Sequence, residues 1–329
     1  MNMQQILRAS RLGLVTMASS LLLAAGCAKQ PAPQAAAASG FDTPEAAVTA
    51  FVAALEKGDM AGLRALLGAG SEELLDSGDD VQDAGDRAEF LADYAAKHAL
   101  AEEGADRRIL VVGNDDWPMP IPLVRRDGKW MFDGEAGVDE LIYRRVGANE
   151  LGAIAVSRGF VDAQIEYAAA GRDDAPAGIY ALKLVSDAGL QNGLYWPTAD
   201  DEPPSPAGEF VAAAAAEGYR RTEGERTPYH GYFYRMLYAQ GPNANGGARD
   251  YFKDGLLTEG FALVAWPADY GASGVMTFIV NQDGVVFQKD LGEDTATAVD
   301  SIQAFDPDSS WTAIAPDESE ESVANVPAG

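Results

Sequence analysis

The chain has 329 residues, of which 47% are hydrophobic and 9% aromatic, and its formal charge is −27 at pH 7. That apolar content excludes a wholly disordered polymer and suffices for one to three domains with cores of their own. The acidic excess disfavours nucleic acid and anionic surfaces as partners. It leaves two readings open, plain solubility and a surface fitted to a basic partner or to cations.

Met1 to Cys27 reads MNMQQILRASRLGLVTMASSLLLAAGC. Arg8 and Arg11 form a basic start, and the apolar run from Leu12 to Ala25 has signal-peptide length, too short to span a bilayer comfortably. Leu23-Ala24-Ala25-Gly26-Cys27 resembles a bacterial lipobox, in which the thiol carries a diacylglycerol. Cys27 is the only cysteine, so no disulfide can form within the chain. The competing reading is an ordinary cleaved signal with an incidental Cys. Lipidation at Cys27 would make the membrane a partner. Ala28, where an Asp would signal retention, points to an outer-membrane lipoprotein of the cell envelope facing the periplasm. Residues 28–39 are rich in Pro and Ala and read as a flexible tether.

A first α+β domain is expected over 40–138. Thr43 and Pro44 make a helix start, with Asp42 and Glu45 as an alternative capping box. Val48, Phe51, Val52 and Leu55 then mark one helical face, and Lys57-Gly58-Asp59 ends it. Leu63, Leu66 and Leu67 begin a second helix, and Glu89 to His98 gives a third. A short apolar run at Ile109 to Val112 precedes a hairpin turning at Asp127-Gly128. Pro118, Pro120 and Pro122 confine the piece before it to an edge.

A second α+β domain is expected over 139–311. A wide-faced helix from Asn149 to Ala170 leads through an irregular stretch to an Ala-rich helix at Pro206 to Glu217. A strand opens at Tyr229 to Tyr234 and runs through Leu237. Three apolar runs follow, Phe261 to Trp266, Val275 to Val280 and Val285 to Lys289. Asp283-Gly284 reads as a primed turn between the last two. Residues 312–329 read as a disordered acidic tail.

The helix start TPEAAVTAFVAALEK with the VRRDGKWMFD hairpin resembles nuclear-transport-factor-2-like cone domains. The helix residues Asn149, Glu150, Ala153, Ile154, Arg158, Ala163, Gln164 and Tyr167, ahead of an antiparallel sheet, resemble pilin and pseudopilin heads. Pilins have a long apolar segment before that helix. Here Arg144-Arg145 and a soluble domain stand there, so assembly through it is not expected. From Phe41 to Trp311, stretches such as IPLVRRDGKWMFDGEAG, PYHGYFYRML and GFALVAWPADYGASGVMTFIVNQDGVVFQKDLG resemble the bacterial exported proteins grouped as domain of unknown function 2950. The resemblance implies export and brings no activity.

The chain has two histidines. No zinc spacing, EF-hand, nucleophile elbow, phosphate loop or dinucleotide fingerprint occurs, so no metal or cofactor is expected. His98 reads as a helix-end residue near the C-terminal dipole. His230 could serve as a general base or touch a ligand, but no nucleophile or orienting carboxylate is named by the sequence. Tyr195, Trp196, Tyr229, His230, Trp266 and Tyr270 form the candidate interaction surface, against a core and loop-anchor role. The leading expectation is a non-catalytic binding or assembly module with an envelope protein as partner. The alternatives are an enzyme with its site at the domain junction near His230 and a structural spacer.

Overall fold

The computed structural model describes residues 40–68, 70–171, 176–199, 202–217, 219 and 227–315. Cys27, the 28–39 tether and residues 316–329 lie outside the described residues. The architecture is α+β, with helices packed on antiparallel sheets.

Helix α1 (Pro44–Lys57) starts as its sequence predicts. Thr43 Oγ1 accepts the Ala46 N–H at 3.2 Å, Pro44 occupies the first turn, and Gly58 at φ 61° closes the end. Val48, Phe51, Val52 and Leu55 are all buried. Asp42 forms no capping box and instead pairs with Lys129. Helix α2 (Met60–Leu67) and the single turn α3 (Glu72–Leu75) follow. Helix α4 (Asp80–Ala96) begins well before the expected Glu89, because Asp79 caps it by accepting the Gln82 N–H at 3.1 Å. His98 does not end this helix. It opens strand β1 (His98–Glu102), with its Nδ1 2.8 Å from the Tyr94 carbonyl and its ring stacked on Tyr94.

The first sheet continues with β2 (Arg107–Val112), the two-residue β3 (Trp117–Pro118), β4 (Leu123–Arg126) and β5 (Lys129–Phe132), in the order β1-β2-β4-β5 with β3 beside β2. Asp127 at φ 51° and Gly128 at φ 75° are both left-handed, as a primed two-residue hairpin requires. The sheet and α1 enclose Leu63, Leu110, Ile121 and Leu123, with Phe51 against Phe132 at 5.1 Å.

Helix α5 (Val138–Ala170) is 33 residues long, starts ahead of the expected Asn149 and spans about 50 Å. Its first turns bury Val138, Ile142 and Val146 in the first core. Its later turns bury Ala153, Phe160, Ala163 and Tyr167 in the second. The boundary read from sequence thus falls where a helix common to both cores begins. Among the described residues, no helix is long and apolar enough to cross a membrane.

Beyond α5 come β6 (Lys183–Val185) and β7 (Gly193–Tyr195), a parallel pair, and α6 (Gly208–Glu217). Strand β8 (Tyr232–Leu237) begins the second sheet. Small pairs β9 (Ala239–Gln240) with β10 (Arg249–Asp250), and β11 (Phe252–Lys253) with β12 (Leu256–Leu257), follow it. The sheet is completed by β13 (Ala262–Pro267), β14 (Met276–Asn281), β15 (Phe287–Asp290) and, after the turn α7 (Thr295–Ala298), β16 (Thr312–Ala313). The strand order is β16-β15-β14-β13-β8, so the sheet reaches past the expected start of the tail at 312. The Asp283-Gly284 turn differs from its reading. Only Gly284 is left-handed, at φ 75°, and it closes a wider turn onto the Asn281 carbonyl at 3.0 Å.

Strand β13 is buried on both faces. Leu263 and Ala265 face the α5 side, while Ala262, Val264 and Trp266 enter a third core with Tyr251, Leu257 and Phe305. Trp266, at 3% exposure, is therefore a core residue and lines no surface.

Arg145 ties the two halves together. Its guanidinium donates to the Ala272 carbonyl at 2.9 Å, to Leu74 at 2.9 Å and to Glu73, and it lies 3.7 Å from the buried Asp83 carboxylate. Burial pushes the Asp83 carboxyl above the usual carboxylate range. A raised folded-state value means that Asp83 stabilises the fold most when protonated, and the contribution is lost as pH rises through that value. Arg145→Met removes the compensating charge and should cost about 3–5 kcal/mol at pH 7. The deficit should shrink in urea titrations toward pH 4, where Asp83 takes up a proton; equal deficits at both pH values would exclude Asp83 as its source.

Candidate functional site

The sequence stretch Tyr229-His230-Gly231-Tyr232 folds as a tight turn at the mouth of β8. Tyr229 and Tyr232 exchange backbone hydrogen bonds at 2.8 and 3.2 Å. His230 at φ 48° and Gly231 at φ 69° are both left-handed, the geometry of a primed hairpin turn. Glycine meets that demand freely. Here a side chain is doubly excluded, since a Cβ at Gly231 would also collide with the Asn149 amide. A histidine in this region costs about 1–2 kcal/mol, so its surroundings must hold it there.

They do so from both halves of the chain. Asp79 Oδ2, at the head of α4, accepts the Gly231 N–H at 2.9 Å and the Tyr219 hydroxyl at 2.9 Å. The Tyr219 oxygen in turn accepts the His230 N–H at 3.1 Å. Nearby, the Asn149 and Gln82 side chains exchange amide hydrogen bonds, and Asn149 also donates to the Ser273 carbonyl at 2.9 Å. One carboxylate and one phenol thus pin both N–H groups of the turn.

The His230 side chain emerges from this frame with its Nε2 3.0 Å from Glu217 Oε2, at the end of α6. The ring sits 4.2 Å from Tyr229 and 5.9 Å from Tyr219, centroid to centroid. Burial pushes the phenols of Tyr219, Tyr229 and Tyr234 above the usual tyrosine range, with acidic neighbours adding to it for Tyr219 and Tyr229. Among the described residues the buried Tyr234 hydroxyl has no hydrogen-bond partner, and it lies in the field of Tyr219, Tyr229 and Asp79. A carboxylate-held imidazole can carry a proton, but acyl or phosphoryl transfer through it needs a nucleophile within reach. Among the described residues no Ser or Thr hydroxyl bonds the His230 ring, and no cluster of His, Cys, Asp or Glu could hold a metal ion.

The six aromatic and imidazole candidates do not share one surface. Tyr229 and His230 meet in the cluster above. Tyr195 ends β7, and Trp196 after it lines an open cleft of about 810 Å³ with Glu166, Gln191, Glu202, Pro203 and Pro204. Tyr167 packs edge-on to Trp196 and donates its hydroxyl to the Gln191 carbonyl at 2.6 Å. Tyr270 stands apart with its hydroxyl on Asp290 at 3.1 Å, and Trp266 is core. Cys27 lies outside the described residues.

Sequence reasoning missed Asp79, Tyr219 and Glu217. Asp79-Asp80 reads as a solvated acidic pair, and only its position three residues before Gln82 hints at a helix cap. Tyr219 carries no local signal, since its role rests on residues 140 positions away in sequence.

Comparisons add one finding. No curated protein and no solved structure matches the chain. A family model described as "Protein of unknown function (DUF2950)" matches residues 38–314.

The frame makes a prediction separable from any activity. Asp79→Ala strips the acceptor from the Gly231 and Tyr219 donors, and at about 1.5–3 kcal/mol for each hydrogen bond to a charged group it should lower stability by roughly 3–6 kcal/mol. His230→Asn, whose side chain tolerates the left-handed region, should stay within about 1 kcal/mol of wild type. Denaturant titration of both variants reads the difference; a larger loss in His230→Asn would mean that the ring itself holds the fold.

Proposed function

The chain belongs to the DUF2950 family, and from that premise we propose that it is a lipid-anchored cell-envelope binding module whose ligand or partner docks at the Trp196 cleft. The lipobox-like run ending at Cys27 supports the anchor. The single observation that carries the binding role is the cleft itself. Its volume of about 810 Å³ lies in the range of ligand pockets. An indole and two prolines offer flat apolar surface beside the Glu166 and Glu202 carboxylates, a mixture suited to recognition. The Asp79, Tyr219 and Asn149 side chains of the junction, by contrast, are taken up in holding turns and loops.

A second reading, an enzyme at the junction, draws on the His230–Glu217 pair at 3.0 Å beside the Tyr234 hydroxyl, unpartnered among the described residues. The two readings differ in what Trp196→Ala and His230→Asn abolish.

Two measurements test the proposal. Wild-type chain should take up an acyl label and fractionate with membranes, and Cys27→Ser should lose both; an unlabelled wild type overturns the anchor. A photoreactive residue at Thr198, in the cleft wall, should capture an envelope component in cells, and Trp196→Ala should reduce the capture at least tenfold. Capture unaffected by Trp196→Ala, or equal to that from the distant exposed Glu45, overturns the cleft as the binding surface.

A further inference from the structure

Strand β1 forms one edge of the first sheet. It pairs with β2 in unbroken register from His98↔Val112 to Glu102↔Arg108, without a proline or a bulge. The Gly113 N–H donates to the Lys97 carbonyl at 2.9 Å, and the Glu103 N–H to the Arg107 carbonyl at 3.1 Å, so the odd-numbered residues turn their backbone groups toward β2. Those of His98, Leu100 and Glu102 therefore point away from it, and they meet no backbone partner among the described residues. The β5 edge is treated differently, since Phe41 and Trp130 exchange backbone bonds there at 2.8 Å in each direction. A regular, open edge such as β1 is a template for another strand.

The side chains identify the strand that fits. An incoming strand must set its own outward backbone groups opposite His98, Leu100 and Glu102, which fixes the parity of the register. Antiparallel pairing with β1 of a second copy, two-fold at Leu100, meets that condition along the whole strand. Leu100 turns its side chain to the core, but the pairing uses its backbone. The same register sets Lys97 opposite Glu103, His98 opposite Glu102 and Ala99 opposite Ala101. Within one copy Lys97 holds Asp116 at 2.6 Å and Glu103 holds Arg107 at 2.7 Å, all four exposed. Across the pair they join into a row of alternating sign, Arg107 and Glu103 followed by Lys97 and Asp116 of the second copy. The Arg108–Glu102 pair at 3.1 Å extends to His98 in the same way.

Other registers lose this match. A slip of two residues either way breaks both charge pairs and shortens the ladder, and parallel pairing in register brings Lys97 to Lys97 and Glu103 to Glu103. Helix α4 packs on β1 and β2 from one face. The two-fold keeps its copy on that face, roughly two strand spacings or 9–10 Å away, an ordinary distance between packed helices. We infer that β1 is an isologous docking edge for a second copy of this chain, paired antiparallel about Leu100 into one continuous sheet. Such a contact closes at two copies and does not propagate. It goes beyond the cleft reading and does not depend on it.

The test uses the full-length chain with Cys27→Ser, which removes the only native thiol. Ala99 and Ala101 are exposed, and across the pair they stand opposite at a non-hydrogen-bonded site, about 4.5 Å between Cα atoms and within disulfide reach. Two copies of either cysteine variant meet only diagonally, at about 7–8 Å, beyond that reach. Ala99→Cys mixed with Ala101→Cys in a glutathione redox buffer should give at least fivefold more disulfide-linked dimer than either variant alone. Glu103→Lys in both chains, which faces Lys97 of the second copy, should lower the mixed yield at least threefold. The inference is overturned if the mixture links no better than either variant alone, if it links no better than Thr312→Cys on the exposed β16, or if Glu103→Lys leaves the yield unchanged.

Discussion

Everything in this molecule hangs on helix α5, and on the fact that one helix supplies hydrogen-bond partners to backbone that has none of its own. Arg145 satisfies carbonyls from both halves, those of Glu73 and Leu74 in the single turn α3 and that of Ala272 in the connection after β13. Glu150 Oε1 accepts the Val275 and Met276 N–H groups, each at 3.0 Å, and so fixes the start of β14. Gln164 takes both the donor and the acceptor of Ala181, at 2.9 and 3.1 Å. Buried irregular backbone without such partners would be costly, because each unmet polar group loses its water. A long helix with polar residues at chosen depths answers that need where a sheet ladder cannot.

The same economy explains the His230 turn. Its two N–H groups point into the junction, where Asp79 and Tyr219 receive them. The acceptor comes from α4 in the first half and the turn from β8 in the second. Folding of either half alone would leave one side of this exchange unmet. The junction is therefore cooperative by construction, and the buried Asp83 and Arg145 add a charge pair that neither half could bury unaided.

Much of the fold could be read from local chemistry. The Thr43-Pro44 start of α1, the Asp127-Gly128 turn and the apolar runs of β13 and β14 rest on capping, turn and periodicity rules that act within a few residues. The misreadings share a cause. Trp266 resembles an interface aromatic until its strand is found inside the sheet, between β14 and β8, and buried on both faces. His98 resembles a helix end until β1 claims it by pairing with β2. Glu89 looks like a helix start because the true cap, Asp79, sits within an acidic, glycine-containing stretch.

The sequence by itself determined the α+β character, the family and the residues of α5 that stand out from an ordinary amphipathic helix. Asn149, Glu150, Gln164 and Tyr167 stand out there through the resemblance to pilin heads, and most buried polar groups answer a specific partner. Only the tertiary structure decided who those partners are. Asn149 meets Gln82 and Ser273, Glu150 meets the start of β14, and Gly231 of the His230 turn meets Asp79 only through the pairing of distant segments. Hydrogen bonds across more than a hundred residues leave no periodic trace in the chain, whereas caps, turns and apolar alternation do.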